Sequence, residues 1–179
     1  MNLKTLLNSD NYQASIEIIL KKCSHKTQVK FALHCAEGLE KYYDFEKYPE
    51  VKKTRAKCLE LVANWLIDSS SVTKKDMETA ANAAASAAYA ASAAAYAASA
   101  AAYAAYAANA VAYAANAANA VAYAANAANA AAYAAGSYDK SIKQNYLKDL
   151  FYYLVKLYLT ETDSSFKEET FNLLYLQKE

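Results

Sequence analysis

Apolar residues recur through the first third of the chain at the three- and four-residue intervals of amphipathic helices. Leu3 to Leu7 reads as a short opening turn, and Ser9-Asp10 as the N-cap of a helix carrying Ile16, Ile18, Ile19 and Leu20 inward. Ser24 to Lys26 reads as a polar corner, with His25 in a loop. From Thr27, the residues Val29, Ala32, Leu33, Ala36 and Leu39 return at helical spacing. The pattern fails from Asp44 to Tyr48. Pro49 follows, suited by its fixed φ and missing N–H to the first position of a new helix. That helix directs Val51, Cys58, Leu59, Leu61, Val62, Trp65 and Leu66 inward, with Lys52, Lys53, Arg55, Lys57 and Glu60 mostly on the other side. Asp68-Ser69-Ser70-Ser71 closes it. Near the other end, Tyr138 to Leu159 is amphipathic, through Ile142, Tyr146, Leu147, Leu150, Phe151, Leu154 and Leu157. Thr160 to Ser164 then reads as a turn, and Ser165 with Glu168 as the capping box of a last helix through Phe171, Leu173, Leu174 and Leu176.

The middle of the chain has a different pattern. Thr73 and Asp76 form another capping-box pair, and after Glu78 no charged residue appears until Asp139. The tract between is mostly alanine. VAYAANAANA stands twice in tandem, at 111–120 and 121–130, with degenerate copies on either side. Asn82, Ser86, Tyr89, Ser92, Tyr96, Ser99, Tyr103, Tyr106, Asn109, Tyr113, Asn116, Asn119, Tyr123, Asn126, Asn129 and Tyr133 follow one another at intervals of three or four. Their mean interval of about 3.4 residues lies close to the helical repeat. Alanine has the highest intrinsic helix propensity. The tract is therefore predicted to be helical, with one stripe of Tyr, Asn and Ser on an alanine cylinder.

That interval also bears on tertiary structure. On a straight helix the stripe would drift by about 20° at each step, and one unbroken helix over the tract would be about 90 Å long. A compact domain of this length has a radius of gyration of only about 16 Å. The tract is therefore expected to fold back into two or three closely packed helices, with breaks near Asn109, Asn119 or Ser92–Ser99. Methyl faces allow close helix approach at little entropic cost, which places alanine inside and the stripe outside. The competing arrangement buries the tyrosine rings under the terminal helices.

Composition narrows the class. Two glycines and one proline in 179 residues leave little material for β-hairpins. The fold class expected is all-α, a single-domain bundle of about six to eight helices over residues 1–179. Its parts are N-terminal helices at 1–72, alanine-rich helices at 73–136 and C-terminal helices at 137–179. A net charge of +1 lacks the surplus of a nucleic-acid binder, and the basic run Lys52, Lys53, Arg55, Lys57 is answered by Asp44, Glu46, Glu50 and Glu60. The tract has no Leu, Ile, Phe or Met and repeats Asn, so it does not read as a membrane span. With three cysteines and no apolar stretch of signal-peptide length near Met1, the expected location is the cytoplasm.

Reactive side chains are few. Cys23-x-His25 and His34-Cys35 lack the paired spacing of a zinc site. A Cys/His nucleophile would also need an orienting group and an oxyanion site, and no glycine elbow or phosphate loop is present. Glu168-Glu169 reads as a solvated helix face. No catalytic residue, metal or cofactor is expected, and Cys35 and Cys58 read as small core residues. The stripe is the best binding candidate: Tyr89, Tyr96, Tyr103, Tyr113, Asn116, Tyr123, Asn126 and Tyr133 offer aromatic area and amide hydrogen bonds at low entropic cost.

Two features in order resemble a family of small bacterial and phage immunity proteins with an immunity-five-like, alanine-rich helical domain. Ala32-Leu33-His34-Cys35-Ala36-Glu37 leads through Tyr48-Pro49 to Ala63-Asn64-Trp65-Leu66, and an alanine tract studded with Tyr and Asn follows. The resemblance covers about residues 30–135 and does not reach the C-terminal helices. This chain departs from it in having identical decads where a Gly- or Pro-marked break is expected. Membership implies a protein without enzyme activity that binds and neutralises a cognate toxin, so its partner is a protein rather than a nucleic acid or a membrane. The alternative is a structural or assembly module that self-associates into a homo-oligomer through its alanine faces. Ice binding fits poorly, because a decad winds around the helix where a flat plane needs a repeat near eleven.

Overall fold

The computed structural model describes residues 3–38, 46, 49–90, 126, 130, 132 and 140–163. Most of them belong to six helices: α1 (Leu3–Leu7), α2 (Tyr12–Leu20), α3 (His25–Glu37), α4 (Pro49–Ile67), α5 (Lys74–Ala90) and α6 (Lys140–Thr162). No strand occurs among the described residues. The all-α class read from the sequence is the class observed. The last predicted helix, from Ser165, and most of the alanine tract lie outside the described residues.

Local chemistry sets where the helices begin. The Asn11 side chain accepts from the Ala14 N–H at 3.2 Å, so Asn11 is the N-cap of α2, and the predicted Ser9-Asp10 cap starts too early. Only a side chain at the capping position reaches the N–H three residues on. Ser9 instead accepts from the Asn11 N–H at 3.2 Å. Ser24 caps α3 by accepting from the Thr27 N–H at 3.3 Å, so His25 and Lys26 are helical rather than part of a loop. Thr73 and Asp76 form the predicted capping box. The Asp76 N–H donates to the Thr73 hydroxyl at 3.2 Å, and the Thr73 N–H and hydroxyl donate back to the Asp76 carboxylate at 3.3 and 2.6 Å. Pro49 is the first residue of α4, as its geometry requires.

The end of α6 runs past its predicted stop at Thr160. The hydroxyls of Thr160 and Thr162 donate to the carbonyls of Lys156 and Tyr158, both at 2.8 Å, so threonine satisfies itself within the helix instead of ending it.

Packing follows an order that the chain does not. α6 packs on both α2 and α3, α3 packs on α4, and α4 packs on α5. The helix ending at Thr162 thus serves as a neighbour to two of the first three helices. Phe31, Phe151, Leu6, Ile16, Ile19, Leu20, Val29, Leu150, Leu154 and Val155 are fully enclosed, and the Tyr12 ring lies 5.6 Å from that of Phe151. Val51, Cys58 and Val62 face inward from α4 as read from the sequence, with Leu59, Leu61, Trp65 and Leu66 half-buried against the core. Ile142 is an exception to the amphipathic reading of α6. It lies exposed one turn before Tyr146, where burial of that helix begins.

Both ends of α3 are fastened by other helices. The last four carbonyls of a helix have no partner within it. Here His34 C=O accepts from the Gly38 N–H at 3.0 Å and Cys35 C=O from the Tyr146 hydroxyl at 3.0 Å. Ala36 and Glu37 C=O accept from Arg55 Nη2, at 2.7 and 3.4 Å. Arg55 is consequently 3% exposed, contrary to its reading on the side of α4 away from the core. A guanidinium matches the negative end of the α3 dipole, which draws it inward from α4. Gly38 makes room for the Tyr146 contact, because a Cβ there would lie 2.7 Å from the tyrosine oxygen. At the other end, the Ser24 N–H donates to both carboxylate oxygens of Glu161 on α6, at 3.0 and 3.2 Å. The buried Gln28 amide donates to the carbonyls of Leu20 and Cys23, at 3.0 and 3.1 Å, closing the α2–α3 corner.

Candidate binding surface

The alanine tract begins inside α5, where the choice between an inward and an outward stripe first becomes visible. Met77, Ala80 and Ala81 lie on one helix face, three and four residues apart, and are buried. Thr79, Asn82 and Ala83 are exposed. Further along, Asn126 is helical and exposed, while Ala130 and Ala132 are helical and 7% and 0% exposed. At the described positions, then, both stripe asparagines reach solvent and four of the five tract alanines do not; Ala83 is the exposed one.

The nominated stripe is only partly within this description. Asn126 is exposed, and Tyr89 belongs to α5 by its backbone, its side chain lying outside the described residues. Tyr96, Tyr103, Tyr113, Asn116, Tyr123 and Tyr133 lie outside the described residues, as do the expected breaks at Asn109, Asn119 and Ser92–Ser99.

The three cysteines form no disulfide, and all three are buried. Burial, with the nearby Glu161 carboxylate second, pushes the Cys23 thiol up to about 12. Burial alone pushes Cys58 up to about 12, and it raises Cys35 well above the ordinary thiol value. All three stay protonated at neutral pH, and a protonated thiol is a poor nucleophile and a poor metal ligand. Among the described residues no three His, Cys, Asp or Glu side chains come together as metal ligands would. His34 stacks on Tyr153 of α6 with ring centroids 3.6 Å apart, and the Tyr153 hydroxyl is raised by burial first and then by Cys35 and Glu37.

A concavity is formed where α2 begins against α6. Asp10, Asn11, Tyr12, Gln13, Lys143, Gln144 and Leu147 line an open groove of about 430 Å³. The sequence reading missed it, because its two walls are more than 120 residues apart and only the packing of α2 on α6 unites them.

No family model, no curated protein and no solved structure matches the chain. Among the described residues no helix is long and apolar enough to cross a membrane.

Proposed function

We propose that this chain is a non-enzymatic, cytoplasmic binding protein of the immunity type, which neutralises a cognate toxin by covering it with the Tyr/Asn/Ser stripe. The observation that carries the reading is the division of the tract at its described positions. Asn82 and Asn126 are exposed, whereas Ala80, Ala81, Ala130 and Ala132 are buried. An alanine face turned inward leaves the larger, hydrogen-bonding residues of the same helix for a partner. The stripe carries no charge between Thr79 and Tyr138, so binding through it rests on aromatic area and amide hydrogen bonds instead of ion pairs. The resemblance of Ala32–Glu37, Tyr48-Pro49 and Ala63–Leu66 to immunity proteins supplies the class of partner.

The test is co-purification with the product of the adjacent gene, together with survival of cells that express that product. The double variant Tyr113→Lys, Tyr123→Lys places two charges in the uncharged ladder. Loss of both co-purification and protection, with helix content retained by circular dichroism, is the expected result. Retention of both shows that the stripe is not the site.

A further inference from the structure

We draw no further inference here: the strongest candidate, the open polar groove between the start of α2 and the first turns of α6, lined by Asp10, Asn11, Tyr12, Gln13, Lys143 and Gln144, rests on a helix N-terminus and surface side chains, with no second observation that points to a ligand.

Discussion

Helices α3 and α5 are both partly buried, by opposite means. α3 encloses Val29, Phe31, Ala32, Leu33, Cys35 and Ala36, and its two ends are held from α4 and α6 by Arg55, Tyr146 and Glu161. α5 encloses Met77, Ala80 and Ala81 and is capped by its own Thr73–Asp76 box. Large side chains remove much apolar area from water, and the shape of each must match its neighbours. Alanine removes little area per residue and adds almost no side-chain entropy cost, so its contribution depends on close helix approach. One helix is placed by long-range contacts. The other begins on local chemistry and packs by smallness.

This contrast is most exposed to truncation. Phe31→Ala is expected to lower unfolding free energy by about 3–5 kcal/mol, and Ala81→Gly by about 1 kcal/mol, chiefly through helix propensity. Urea denaturation of the two variants measures both. Equal losses would mean that the two helices are held in the same way.

The next largest effect concerns the far end of α3. Arg55→Met keeps much of the stem volume but strips the Ala36 and Glu37 carbonyls of their charged donor, at a cost of about 2–3 kcal/mol. An unchanged urea midpoint would remove α4 from the account of how α3 is held.

Titration distinguishes the regions as well, because the three buried thiols lie in or beside α3 and α4. The folded thiol of Cys58 loses its proton near 12, against 9.0 for an ordinary thiol. Between those values the folded state holds more protons than the unfolded one, so stability falls as pH rises, by about 1.4 kcal/mol per unit for such a thiol. Below the ordinary value the contribution is fully present. Stability measured from pH 9 to 11 should therefore fall less steeply in Cys58→Ala than in the parent chain; parallel curves would contradict the burial of this thiol.

The smallest predicted effect is also the most specific. Gly38→Ala forces a methyl against the Tyr146 oxygen and should cost about 1 kcal/mol, the worth of one net hydrogen bond. In a Tyr146→Phe background the same substitution should cost measurably less, since the atom it strikes is gone. Additive losses would show that the glycine answers to something else.

These variants separate what could be read from the chain and what could not. The Thr73–Asp76 box, the Pro49 start and the inward residues of α4 were legible, because each depends on the residue itself or on neighbours three or four positions away. The cap of α2 was placed too early and α6 was ended too soon, both errors of local competition among Ser, Asp, Asn and Thr for backbone groups. Of the stripe, periodicity predicted one face, and only the close approach allowed by methyl groups favoured turning it outward, as Asn82 and Asn126 are. A helix of alanine with tyrosine and asparagine is amphipathic in neither direction by hydropathy alone.

By itself, then, the sequence determined that the described part of this protein is helical and where α4 and α5 start, since propensity and capping act within a turn of the backbone. Tertiary structure alone decided that Arg55 would be buried, that α6 would pack on both α2 and α3, and that Ala80 and Ala81 would face inward while Asn82 faced out. Those outcomes depend on carbonyls, rings and methyl faces brought together from distant parts of the chain. A cation reads as solvated until a helix end is placed beside it, and an alanine reads as neutral until a second helix comes close enough to touch it.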